Sequence, residues 1–271
     1  MKKYISVAAL LAAGTAFASA AFTDGLVAYW NFDNSSSNYS SSTGFAGGVS
    51  TGLESGNFHV DGGLGNTGYI SSHFVEGETT KNMDFYNNLS GMSIDTSSFT
   101  ISFKVKGATA DYRSLISFTI GSLGQVNLQT ENPGNGNDTC LYGANIEMTE
   151  DSVRDSIKGS DGWANVVIYG DGTNITLNVN GYVASSAYTP VSGEKLSNLQ
   201  LGSQWGDGTR RVDAKFDDFA IWNRALSTSE IAALANGTVF ANGIAVPEPS
   251  AFGMLAGLGA LALVAARRRR K

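Results

Sequence analysis

Apolar and polar positions alternate along this chain in short runs. In Phe99-Thr100-Ile101-Ser102-Phe103-Lys104-Val105 every second residue is apolar, which predicts a strand with one face on a core. Ile175, Leu177 and Val179 alternate with Thr176 and Asn178, and Asn180-Gly181 then predicts a tight hairpin turn. Further strands are predicted over residues 25–33, 115–120, 125–128, 162–169, 196–202 and 216–222. Stretches rich in Ser, Asn and Gly, at 34–48 and 131–138, read as loops, and 151–158 as an acidic loop or turn. One helix is signalled near the end. Ser227 and Glu230 form an S-x-x-E capping box, Ile231 and Leu234 give it a small apolar stripe, and Gly237 stops it. Many short strands with turn-rich spacing predict an all-β, two-sheet antiparallel sandwich.

Composition sharpens this. The 271 residues suit one large sandwich, and 33 Gly against 4 Pro with 15% charged residues favours strands and turns. The formal net charge is −6. Residues 1–20 and 251–271 hold seven basic residues and no acidic ones, so a chain stripped of both keeps eleven basic against 24 acidic. Such a surface repels nucleic acid and anionic lipid, and no nucleic-acid partner is expected. Cys140 is the only cysteine, so no intramolecular disulfide can form, and it reads as a small buried residue.

The two ends carry their own signals. Lys2-Lys3, an apolar run from Tyr4 to Phe17 and then Ala18-Ser19-Ala20 make a secretory signal cut by signal peptidase after Ala20. At the other end Pro247-Glu248-Pro249 precedes apolar residues 251–266 and the basic cluster Arg267-Arg268-Arg269-Arg270-Lys271. Sixteen apolar residues span roughly 24 Å as a helix, short for a ~30 Å hydrocarbon core, and the basic cluster stays cytoplasmic. The expected organisation is a signal peptide at 1–20, a sandwich at 21–245 and a segment at 246–271 with a short C-terminal transmembrane helix.

Two resemblances follow. Asp217-Asp218, Trp222-Asn223-Arg224-Ala225-Leu226-Ser227 and Glu230-Ile231 are similar to the closing strand, turn and helix of laminin-G-like (concanavalin A-like) jelly-roll domains. The opening Trp30-Asn31-Phe32-Asp33, the Phe99-Thr100-Ile101-Ser102 strand, Gly162-Trp163 and Leu177-Asn178-Val179-Asn180-Gly181 resemble other strands of that family, from residue 25 to about 237. The tripartite tail resembles the PEP-CTERM sorting signal. It implies processing by a membrane exosortase in a Gram-negative bacterium, with display at the cell surface, outer membrane or extracellular matrix after transient anchoring in the inner membrane.

Candidate chemistry falls in three places. The jelly-roll resemblance implies one structural Ca²⁺ held by Asp217, with Asp33 at the end of the first strand assisting; Ca²⁺ takes several hard oxygens. A sugar site needs an aromatic platform beside planar polar groups, which Trp205, Asp207 and Arg210 supply in one loop, with Tyr112-Arg113 and Tyr142 as secondary candidates. Glycoside hydrolysis needs two suitably spaced carboxylates, and Glu147, Glu150 and Asp151 do not alternate onto one strand face. Trp30, Trp163 and Trp222 read as core, and His59 and His73 are isolated. The expected function is a non-enzymatic surface or matrix module that binds exopolysaccharide or another glycan, or is adhesive. The alternatives are a polysaccharide hydrolase or lyase and a purely structural coat protein.

Overall fold

The computed structural model describes residues 22–30, 32, 58–59, 69–72, 85–87, 92–108, 112–130, 139–149, 151–158, 162–202, 210 and 212–239. The chain divides into two compact units, Met1–Asp24 with Ile244–Lys271, and Gly25–Gly243. The second unit holds the β-structure.

Its first sheet runs in the order β12 (Tyr182–Ala187), β11 (Asn174–Val179), β10 (Ala164–Gly170), β5 (Phe99–Lys106), β14 (Ala214–Trp222), β3 (Tyr69–Ser72) and β2 (Phe58–His59), with β1 (Leu26–Trp30) also paired to β14. The second sheet runs β4 (Phe85–Asn87), β13 (Leu196–Leu201), β6 (Ser114–Ile120), β7 (Gly124–Gln129), β8 (Thr139–Gly143) and β9 (Ile146–Thr149). The paired strands are antiparallel, so the chain is a sandwich of two antiparallel sheets, as the alternation predicts.

The core lies between the sheets. Phe99, Ile101, Phe103 and Val105 of β5 enter it together, and Phe99 meets Phe118 of the opposite sheet edge-on at 6.0 Å. The other face of β5 is buried too. Thr100 Oγ1 donates to the Arg224 carbonyl (2.9 Å) and accepts from the Leu226 N–H (3.1 Å), which lays the closing corner of the chain over the strand. That corner enters α2 (Thr228–Ala235), whose capping box is formed by Ser227 and Glu230. Ile231 and Leu234 are buried, and the helix lies against β10. Arg224 grips the Glu230 carboxylate at 3.0 and 2.6 Å, and this pairing, helped by the Ser227 N–H and hydroxyl against the effect of burial, holds Glu230 at a pKa of about 2.

Three local features differ from the sequence reading. Residues 151–158 form a helix, α1 (Asp151–Lys158), in place of a loop, because Val153 and Ile157 stand four apart and are both buried in the core. Trp163 is only half-buried, because it precedes β10 where the core-facing alternation has not begun; Trp30 and Trp222 are buried as expected. Strand β14 carries a bulge. Asp217 opposes Lys104 and Ala220 opposes Ser102, so one extra residue is inserted there, and Asp218 takes φ +49°. Phe216 and Phe219, three apart, therefore both reach the core.

Candidate functional site

The second sheet has a polar outer face. In β7, Val126 and Leu128 enter the core, so Gln125, Asn127 and Gln129 stand on the opposite side. Register extends this across the sheet. Gln200 of β13 opposes Ser117 of β6, Ser117 opposes Asn127, Asn127 opposes Tyr142 of β8, and Tyr142 opposes Glu147 of β9. Five adjacent strands thus contribute one row of hydrogen-bonding side chains, and Ser114 opposite Gln129 starts a second. Ser117, Asn127, Gln129 and Gln200 are at most 2% exposed. Four buried atoms of this face, Ser114 Oγ, Gln125 Oε1, Asn127 Oδ1 and Gln129 Nε2, have no hydrogen-bond partner. Each such atom costs about 1–3 kcal/mol, and a fold does not collect them on one face without reason.

One end of the face is built around Arg210. Its carbonyl accepts the Ser114 N–H at 2.7 Å, and the Arg113 carbonyl accepts the Thr130 N–H at 2.9 Å, which ties this end to β6 and β7. The Arg210 guanidinium lies over the Tyr112 ring, 4.0 Å from its centroid, and 5.9 Å from that of Tyr142. Nη1 donates to Gln129 Oε1 at 3.1 Å and to the Tyr142 hydroxyl, and Nη2 donates to the Tyr112 hydroxyl. Tyr112 and Arg210 both have φ above +50°. The structure therefore brings Arg210 together with Tyr112 and Tyr142. Trp205 and Asp207 lie outside the described residues, as do Asp33, Cys140's surroundings, Glu150 and the tail residues Pro247, Glu248, Pro249, Arg267, Arg268, Arg269 and Arg270. The amides of β7 are the part that sequence reasoning did not single out, although the alternation of residues 125–129 carried the signal.

Asp217 stands elsewhere, on the outer side of the first sheet. It is 2% exposed, and one carboxylate oxygen accepts the Asp218 N–H at 2.8 Å. Asp218 receives the Lys104 ammonium at 2.6 Å and the Tyr29 hydroxyl at 2.5 Å, all buried. Among the described residues no group of three or more His, Cys, Asp or Glu could hold a metal ion. Glu147 is the one carboxylate among the described residues of the polar row.

The strand order is that of an all-β, jelly-roll-like sandwich of two antiparallel sheets. The family model described as the Concanavalin A-like lectin/glucanases superfamily matches residues 77–232, more than half of the chain, and the chain belongs to that superfamily. A second model, the PEP-CTERM protein-sorting motif, matches residues 245–270 and marks a secreted, exosortase-processed protein associated with the cell surface. Among the described residues no helix is long and apolar enough to cross a membrane. No curated protein is matched.

Two solved structures, both at a TM-score of 0.50, share the fold, and a third is similar. The binding domain of Paraclostridial Mosquitocidal Protein 1 is 16% identical at a TM-score of 0.50, covering 79% of this chain and 52% of the other. Botulinum neurotoxin type C, whose cell entry depends on interaction with two ganglioside molecules, is 12% identical at 0.50, covering 80% and 52%. Domain 4 of the Geobacillus stearothermophilus arabinanase AbnA, in complex with arabinotriose, is 18% identical at 0.47, covering 78% and 98%. The chain thus spans about half the length of the two toxin structures.

Proposed function

We propose that this protein is an exported, non-enzymatic surface or matrix module that binds glycan on the polar outer face of its second sheet. The single observation that carries the reading is the set of buried, unpartnered groups on that face, including Asn127 Oδ1 and Gln129 Nε2. Sugar hydroxyls donate and accept at once, so they satisfy an acceptor and a donor placed side by side. An edge with Tyr112, Tyr142 and Arg210 adds aromatic surface and planar polarity. The adjoining residues Trp205 and Asp207 extend the same site in this proposal.

The sorting motif supports display outside the cell, with the C-terminal apolar run held in the inner membrane until an exosortase acts. Calcium at Asp217 with Asp33 belongs to the same proposal as a strut for the first sheet; calorimetry without Ca²⁺ binding removes it. The test of function is a glycan-array screen of the exported protein with calcium and with chelator. Selective binding that falls when Asn127 and Gln129 are both replaced by Ala supports the reading. Silence of a folded protein supports a structural coat, and a shortened glycan supports a hydrolase or lyase.

A further inference from the structure

We infer that the glycan taken by this face is acidic, with the Arg210 guanidinium receiving the carboxylate of a uronic-acid residue. The inference rests on the glycan-binding reading and names its ligand class. Arg210 is half-buried, and its side-chain partners are all neutral: the Gln129 amide oxygen and the hydroxyls of Tyr112 and Tyr142. Three other cations among the described residues are matched by acids. Lys104 meets Asp218, Lys195 meets Asp95 at 3.3 Å, and Arg224 meets Glu230. In a chain with 24 acidic residues against 18 basic ones, this half-buried guanidinium is held by neutral groups alone.

Donor count says what is missing. A guanidinium has five N–H groups. Three are used, by Gln129, Tyr142 and Tyr112, which leaves two. Two N–H groups on a rigid planar fork match the two oxygens of a carboxylate, a pairing about twice as strong per bond as a neutral one. The two tyrosines and Gln129 hold the fork in place before any ligand arrives, which cuts the ordering cost of binding.

The neighbouring groups identify the rest of the ligand. Gln129 Nε2, a donor with no partner, belongs to the same amide whose oxygen anchors Arg210. Asn127 Oδ1, an acceptor with no partner, stands two residues along the same strand face. Tyr112 is 37% exposed beside them. A carboxylate flanked by hydroxyls on a ring with apolar C–H faces is a uronic acid. The acidic surface of the whole protein repels such a polymer at a distance, so recognition has to come from this local contact.

The test uses the exported protein and three uronate polymers: polygalacturonate, alginate and hyaluronan. Each is compared with the same polymer after its carboxyl groups have been reduced to alcohols, and dextran sulfate reports on charge alone. At least one uronate polymer is expected to bind about tenfold tighter than its reduced form. Arg210→Gln should abolish that ratio, and Arg210→Lys should restore only part of it, since an ammonium lacks the fork. Tyr112→Phe, which keeps the ring and removes one anchor, should lower the ratio with an unchanged melting temperature, and it serves if Arg210→Gln does not fold. Equal binding of acidic and reduced polymers leaves the glycan reading standing and overturns this inference. Dextran sulfate binding as tightly as every uronate, with the same loss in Arg210→Gln, also overturns it. Absence of binding to any polymer or arrayed glycan overturns the glycan reading itself.

Discussion

Replacing Lys104 by Met should be among the most damaging single changes in this sandwich. The ammonium is 1% exposed and sits 2.6 Å from the Asp218 carboxylate, in a pair that joins β5 to β14 across 114 residues of chain. Lys104→Met keeps most of the side chain's apolar stem and removes the ammonium from the buried Asp218 carboxylate. Breaking a buried pair from one side costs about 3–5 kcal/mol. At roughly 2–4 °C per kcal/mol for a domain of this size, the melting temperature should fall by about 6–20 °C. Asp218→Asn should also destabilise, because it takes a carboxylate away from the buried ammonium. Asn suits the position, since it tolerates the left-handed backbone at φ +49° and still accepts from the Tyr29 hydroxyl. The double variant should therefore recover much of the loss, giving a coupling of about 2 kcal/mol or more. Urea titration followed by the fluorescence of buried Trp30 and Trp222 measures all four proteins; guanidinium chloride would screen the pair. A single-variant cost below about 1 kcal/mol, with additive effects in the double, would refute the argument.

Other expectations are equally direct. The folded pKa of Glu230, about 2, lies below its ordinary 4.5, so the stability it contributes is present above pH 4.5 and lost as pH falls towards 2. Glu230→Gln should flatten that acid limb of a melting-temperature profile and cost at most about 3 kcal/mol at neutral pH, less in salt because Arg224 is a quarter exposed. Gly143→Ala would place a Cβ 2.1 Å from the Gln125 carbonyl oxygen at φ +110°, so it should prise β8 from β7 and lower stability and glycan binding together. Gly181→Ala, at φ +91° with no atom within 4 Å, should cost only about 1–2 kcal/mol by denaturation and leave binding intact. Asn127→Leu should weaken glycan binding while its melting temperature does not fall, because it removes an unpartnered buried oxygen.

What the sequence disclosed followed from how local each signal is. The alternation of β5, the Asn180-Gly181 turn and the Ser227–Glu230 box each lie within a few residues, and all three formed. The β8–β9 hairpin went unread because its turn, Ala144-Asn145, adopts left-handed backbone at both residues without a glycine in either place. Helix α1 was obscured by six charged or hydroxyl residues around two apolar ones. The site was half legible. Arg210, Tyr112 and Tyr142 stood out as residue types, but 68 and 98 residues separate the arginine from its two tyrosines, and only sheet register closes that distance. The amides of β7 carry no distinctive chemistry until Ser117 and Tyr142 align on either side of Asn127.

The place of β14 also sets a timetable. This strand is hydrogen-bonded to β5 along one edge and to β1 and β3 along the other, although it comes near the end of the sandwich in sequence. A chain crossing a membrane from its N-terminus delivers thirteen described strands before the one that joins them. Until residues 214–222 emerge, β1 and β3 have no partner against β5, and closing such distant pairings is slow. In a chain exported in that direction, the sandwich would complete only once β14 has emerged, just ahead of the sorting segment in sequence.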